Sequence, residues 1–98
     1  MARVLLDLKN PVFQEHLFSL DKKEALAVLA TLQKIRGLEW EELYRDKGVR
    51  WEAIQSRRGP QDERMYSLRV TRRVRAVANR EGQFLRLLSL HADHDSAY

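Results

Sequence analysis

The sequence contains no cysteine, which excludes disulfide bridges, thiol catalysis and thiolate metal sites. Only two prolines and four glycines occur in 98 residues, too few for a fibrous or low-complexity chain. No apolar run approaches the roughly 18 residues of a membrane span, and the N-terminal run is too short for a signal peptide. We therefore expect a soluble, cytoplasmic protein that has no membrane partner.

The length and the composition favour one compact domain spanning residues 1–98. Hydrophobic residues make up 44% of the chain, enough for a core, and 33% of the residues are charged. Two separate cores would each be too small to outweigh the loss of chain entropy. The sequence therefore predicts one domain with a single functional site.

Positive charge is concentrated in the middle of the chain. The net charge of +4 divides into −1 over residues 1–44, +7 over residues 45–86 and −2 over residues 87–98. Eleven of the twelve basic residues in the middle block are arginines. Because a guanidinium can bind phosphate through two parallel hydrogen bonds, this block favours a polyanionic partner over a merely solvated surface.

The hydrophobic patterns predict an α+β fold. A short strand is expected at residues 3–8, and one helix is expected to begin at Asn10-Pro11, where Asn can cap and Pro suits the first turn. Asp21 and Glu24 have capping-box spacing and open a second helix that ends near Gly37. Residues 39–44 could form one helical turn.

Strands are predicted to follow the helices. They are expected at residues 50–54, from residue 65 to 71, at 75–79 and at 84–90, with a loop at 56–63. The last run is apolar on both faces, as in a central strand. The prediction is an N-terminal helix pair packed on one face of an antiparallel sheet.

An arginine-rich hairpin is the first candidate site. Arg69 and Arg75 lie on strands that should pair, with Arg72 and Arg73 at the turn between them. Guanidinium groups can clamp a phosphate or stabilise charge on a pentacoordinate phosphorus, but they are poor bases. The alternative is a solvated face.

The residues predicted to bind RNA are Arg57, Arg58, Arg72, Arg73 and Arg80.

A His/Asp tail is the second candidate site. His91 and His94, with Asp93, Asp95 and Tyr98, follow directly on the last apolar strand. Histidine can donate and accept protons near pH 7, so histidines beside arginines suit RNA transesterification without a metal or another cofactor. Two alternatives stay open: a zinc or manganese site, and a frayed terminus.

Aromatic side chains could stack on unpaired bases, but most are expected to belong to the core. In particular, Phe84 is expected to begin the buried last strand. The residues concerned are Trp40, Tyr44, Trp51, Tyr66 and Phe84.

The stretch from Met65 through Arg75 and Gly82 to the ending Asp93-His-Asp-Ser-Ala-Tyr98 resembles the C-terminal half of the RelE/ParE superfamily of bacterial type II toxins. The resemblance implies a microbial RNase-like fold and a toxin neutralised by a protein antitoxin. It also places Arg69, Arg75, Tyr98 and either His91 or His94 at positions where members carry functional residues.

Members of this superfamily act in two ways. RelE-like members cut mRNA in the ribosomal A site, whereas ParE-like members inhibit DNA gyrase. The leading hypothesis is a ribosome-dependent mRNA endoribonuclease whose partners are mRNA, the ribosome and an antitoxin. The alternative is a gyrase inhibitor without nuclease activity. The predicted catalytic residues are Arg69, Arg75, His91, His94 and Tyr98.

Overall fold

Helices occupy the first half of the chain and strands occupy most of the second. The computed structural model describes residues 2–59 and 61–92, without the side chain of Arg57. Within these residues, no helix is long and apolar enough to cross a lipid bilayer. The elements are β1 (Leu5–Asp7), α1 (Pro11–Phe18), α2 (Lys22–Arg36), α3 (Trp40–Arg45), β2 (Glu52–Arg58), β3 (Arg64–Arg69), β4 (Val74–Glu81) and β5 (Phe84–Ala92).

The helices begin where the sequence predicts, with one difference in capping. The side chain of Asn10 accepts hydrogen bonds from the first turn of α1, and Pro11 is the first helical residue. Asp21 accepts from the backbone N–H of Glu24 at 2.8 Å. Glu24, however, does not reach back to the cap, because its carboxylate accepts a hydrogen bond from the Thr71 hydroxyl at 2.8 Å. The predicted capping box is therefore only half formed.

The five strands form one sheet in the order β1-β5-β4-β3-β2. Strands β2 to β5 pair antiparallel, as predicted, whereas β1 pairs parallel with β5. A parallel neighbour is possible because a long stretch of chain separates the two strands. Strand β2 also continues through the first part of the predicted loop as far as Arg58, which pairs with Arg64.

The core lies between the helices and one face of the sheet. Phe13 of α1 and Val28 and Ile35 of α2 are at most 1% exposed. They belong to the same buried cluster as alternate residues of the strands. The strand residues in this cluster are Leu68, Val74, Ala76, Ala78, Leu85, Leu87 and Leu90. The opposite side of the sheet, here called the outer face, carries the residues between them.

A β-bulge in β5 decides which side chains reach the outer face. Val77 pairs with Ser89 and Ala78 pairs with Leu87, so Leu88 is an extra residue in β5. Beyond a bulge, the alternation of side chains shifts by one residue. Ser89 consequently shares the outer face with Val77, and His91 follows two residues later on the same face.

Candidate active site

Three of the predicted catalytic residues form a row across the outer face. Arg69 of β3 is paired with Arg75 of β4, and Arg75 is paired with His91 of β5. Adjacent strands lie about 4.8 Å apart, so the row places two guanidinium side chains and one imidazole on neighbouring strands. All three side chains are half-buried. We call these residues the Arg-Arg-His row.

A hydroxyl from the next row along the strands orients the imidazole. A second row lies two residues along each strand from the Arg-Arg-His row. It consists of Ser67 of β3, Val77 of β4 and Ser89 of β5. The Oγ atom of Ser89 lies 2.8 Å from Nε2 of His91. This hydrogen bond engages one ring nitrogen of His91 and restricts the orientation of the ring.

A backbone hydrogen bond holds Arg69 at the β3 end of the row. Its N–H donates to the carbonyl oxygen of Val49 at 2.7 Å, just before β2. Its side-chain Nε atom is buried and has no hydrogen-bond partner among the described residues. A buried donor without a partner is costly and is uncommon in folded proteins.

The turn that presents Val49 depends on Asp46. The Asp46 carboxylate accepts hydrogen bonds from the N–H groups of Gly48 and Val49, each at 2.9 Å, and pairs with Lys34 at 3.1 Å. The hydrogen bond from Val49 and the positive charge of Lys34 lower the pKa of Asp46 below its ordinary value, although partial burial opposes the shift. An ionised Asp46 thus supports the backbone beside Arg69.

Helix α2 anchors the turn between β3 and β4. Thr71 donates to Glu24, and its hydroxyl oxygen accepts from the N–H groups of Arg73 and Val74 at 3.1 and 3.0 Å. Thr31, two turns further along α2, donates to the carbonyl oxygen of Val70. These bonds fix the turn that carries Arg72 and Arg73, both of which are exposed.

Three further arginines are predicted to bind RNA, and one of them, Arg80, lies on the opposite side of the sheet from the Arg-Arg-His row. Arg58 is exposed on the edge strand β2, and the side chain of Arg57 is outside the described part of the chain. Arg80 lies on the helix side of the sheet, where its guanidinium carbon is 4.0 Å from the centre of the Trp40 ring. It also donates to Tyr44 at 2.9 Å. The structure thus separates Arg80 from the Arg-Arg-His row.

The aromatic residues divide between the core and the surface. Trp40 and Trp51 are buried and contact each other edge to face, with ring centres 5.4 Å apart. Tyr66 stacks on Trp51 at 4.4 Å. Phe84 is 46% exposed, so the prediction that it is buried was wrong. It comes first in β5, where its side chain belongs to the outer face and not to the core.

Two of the predicted catalytic residues, His94 and Tyr98, are outside the described residues, and so are Asp93 and Asp95. Within residues 2–59 and 61–92, no three His, Cys, Asp or Glu side chains are grouped as metal ligands. The part of the predicted site that the structure places is therefore Arg69, Arg75 and His91.

Solved structures share this architecture. One is the RelE–RelB complex of the archaeon Pyrococcus horikoshii OT3: a chain of that structure is matched over 98% of the present chain and its own full length, with a TM-score of 0.63 and 17% identity. The present chain has a RelE-like fold. No protein-family model matches the chain, and no curated protein matches it.

Two structures from Helicobacter pylori match over the full length of both chains. A conserved hypothetical protein studied in solution gives a TM-score of 0.61, and a copper-bound mutant toxin gives 0.52, each with 22% identity. Identities this low establish the fold and leave the activity to be argued from the site.

Sequence reasoning missed two contributors to the site on this RelE-like fold. Ser89 was missed because the apolar run around it gave no sign of the bulge that turns it outward. His16 was missed because it lies in α1, 75 residues before His91, yet the two ring centres are 6.0 Å apart. The outward placement of Ser89 and the contact of His16 with His91 both depend on tertiary pairing, so neither has a local sequence signal.

Proposed function

We propose that this chain is the toxin of a toxin–antitoxin pair and that it inhibits translation by cutting mRNA on the ribosome. The observation that carries the proposal is the Arg-Arg-His row on the outer face, with Ser89 hydrogen-bonded to the histidine. The RelE-like fold supports the first part of the proposal, and the chemistry of the row supports the second.

The row suits cleavage by the ribose 2′-hydroxyl. The 2′-oxygen attacks phosphorus and transfers its proton to a base, the bond from phosphorus to the 5′-oxygen breaks, and an acid protonates that oxygen. The products are a 2′,3′-cyclic phosphate and a 5′-hydroxyl. Arg69 and Arg75 would stabilise the extra negative charge on the phosphorane, as permanent cations do in a partly buried site.

His91 is the described residue best suited to a proton transfer in this reaction. Its Nε2 atom is engaged by Ser89, which orients the ring beside Arg75. We assign it as the base or the acid, and we assign the complementary proton transfer to His94 or Tyr98. Guanidinium groups fill the electrostatic role that a divalent ion would otherwise take, so the proposed mechanism is metal-independent.

The charge and the small extent of the Arg-Arg-His row lead us to propose two macromolecular partners. The arginines of the row can bind phosphate groups, but three side chains on neighbouring strands offer little area to hold a long RNA in register. We therefore propose that the ribosome positions the mRNA in the cytoplasm. The same arginines would attract an acidic antitoxin segment, which would mask the RNA site while bound.

Inducible expression with mapping of transcript ends tests the function. We expect growth arrest together with new 5′ ends inside translated regions, and neither effect with the Arg75→Ala variant. Growth arrest with intact mRNA would contradict the nuclease. In that case, loss of plasmid supercoiling by purified gyrase in the presence of the protein would indicate a ParE-like inhibitor.

A further inference from the structure

Helix α1 lies beside β5 at the point where its neighbouring strand ends. Strand β1 pairs with only three residues of β5, from Phe84 to Arg86. Further along β5, the backbone N–H of Leu90 donates to Nδ1 of His16 at 3.0 Å. The imidazole of His16 therefore lies beside the part of β5 that β1 does not reach. It accepts a hydrogen bond from a backbone N–H that a longer β1 would otherwise have to satisfy.

This hydrogen bond determines the tautomer of His16 and the plane of its ring. A ring nitrogen that accepts a hydrogen bond carries no proton, so the neutral ring of His16 holds its proton on Nε2. The ring is half-buried and meets the ring of His91 edge to face, at an interplanar angle of 65°. His16 thus contacts the proposed proton-transfer residue and the backbone immediately before it.

The position of Leu90 makes this contact important for the site. Leu90 lies between Ser89 and His91, the two residues whose side chains are hydrogen-bonded on the outer face. The bulge at Leu88 directly precedes this segment, and bulges bend and twist a strand. A hydrogen bond from another element at Leu90 would hold the segment in the single arrangement that presents His91 beside Arg75.

We propose that His16 is a positioning residue for His91, acting through its hydrogen bond with the backbone of Leu90. The catalytic consequence rests on the proposed function, whereas the positioning itself does not. His16 is assigned no contact with RNA.

Three variants test the proposal. His16→Leu keeps the bulk of the side chain and removes the acceptor. His16→Asn can place its Oδ1 atom near the position of Nδ1 and so keeps an acceptor. Gln14→Ala is the matched control, because it removes a hydrogen bond of 2.9 Å from the same helix to the carbonyl oxygen of Leu8, which is not a residue of β5.

The first readout is spectroscopic and needs no activity. Nitrogen-15 shifts of the His91 ring report its tautomer, and amide exchange reports the protection of Leu90. We expect His16→Leu to mix the His91 tautomers and to speed Leu90 exchange by roughly tenfold, whereas His16→Asn and Gln14→Ala should resemble the wild type. Unchanged His91 and Leu90 signals in His16→Leu would overturn the proposal.

The second readout is cleavage of mRNA on purified ribosomes. We expect His16→Leu to lower kcat by about tenfold with little change in KM, and His16→Asn to recover most of that loss. If His16→Asn is as slow as His16→Leu while both remain folded, the positioning role is wrong. If the wild type does not cleave, the proposed function fails, and the spectroscopic result alone decides the role of His16.

Discussion

Arg69 and Arg75 are directly opposite each other on β3 and β4. Like charges in this position disfavour strand pairing, and the buried Nε atom of Arg69 adds an unsatisfied donor. A local arrangement that costs stability is typical of functional sites. Two guanidinium groups on neighbouring strands are suited to bind an anion such as a phosphate.

Replacing Arg69 should separate stability from activity. The Arg69→Met variant keeps an extended apolar side chain and removes the charge. We expect its free energy of unfolding to rise by about 0.5–1 kcal/mol, because the variant removes a like charge opposite Arg75 and a buried donor without a partner among the described residues. Cleavage of ribosome-bound mRNA should fall by about 10²-fold or more. Urea denaturation and a cleavage assay measure the two effects, and a stable variant with full activity would contradict the role given to Arg69.

Ser89 should matter through His91. Removing the hydroxyl in Ser89→Ala releases the Nε2 atom of His91, so we expect cleavage to slow by about tenfold and stability to change little. His91→Ala should cost about 10²-fold or more. Ser67→Ala is the control, since Ser67 lies in the same cross-strand row as Ser89 and is not paired with a histidine. Equal losses in Ser67→Ala and Ser89→Ala would indicate a general packing effect.

Asp46 should make stability depend on pH in the acid range. Its pKa in the folded protein is lowered, chiefly by the hydrogen bond from Val49, so the ionised form is the one that favours folding. This stabilisation is complete above the ordinary aspartate pKa of about 4 and is lost as the pH falls through the lower folded-state pKa.

The Asp46→Asn variant tests this expectation. It should unfold at lower urea concentration than the wild type at pH 7, and the difference should shrink below about pH 4. Lys34→Met should remove only the ion-pair part of the effect. A difference between Asp46→Asn and the wild type that is constant from pH 7 down to acid unfolding would contradict the assigned cause.

The bond from Thr71 to Glu24 should contribute to stability as a coupled pair. Thr71→Val should lower the free energy of unfolding by about 1–3 kcal/mol, because it removes a donor to a carboxylate and the acceptor for two backbone N–H groups. Glu24→Gln should cost less. A double-mutant cycle by urea denaturation should give coupling above about 0.5 kcal/mol, and additive effects would show that the two residues do not depend on each other.

Arg80 provides a contrast with the Arg-Arg-His row. Its contacts with Trp40, Tyr44 and the carbonyl oxygen of Gly82 are all on the helix side of the sheet or in the adjoining turn. We expect Arg80→Ala to lower the free energy of unfolding by about 1 kcal/mol and to leave mRNA cleavage per folded molecule unchanged. A selective loss of cleavage in Arg80→Ala would instead support the predicted contact of Arg80 with RNA.

Local signals predicted most of the fold. Residues close together in the sequence predicted the helix caps at Asn10 and Asp21 and the alternation of side chains around Leu68. Each of these predictions is confirmed. The parallel pairing of β1 was not predictable in the same way. This pairing depends on how the three helices and three strands between β1 and β5 pack, and no short sequence pattern predicts that packing.

The candidate site was predictable only where alternation continued without interruption. Arg69 and Arg75 flank one hairpin, so their pairing followed from the sequence. The placement of Ser89 depends on a single extra residue in β5, and the contact of His16 with Leu90 joins positions 74 residues apart. Such features arise from tertiary pairing, which local propensity does not encode.

The most direct test is the chemistry of the cut ends on purified ribosomes carrying a defined mRNA. The proposed mechanism predicts a 2′,3′-cyclic phosphate on the upstream fragment and a 5′-hydroxyl on the downstream fragment, with cleavage reduced about 10²-fold or more by Arg75→Ala. Intact mRNA with the wild-type protein, or equal cleavage by Arg75→Ala, would contradict the assignment of the Arg-Arg-His row as the active site.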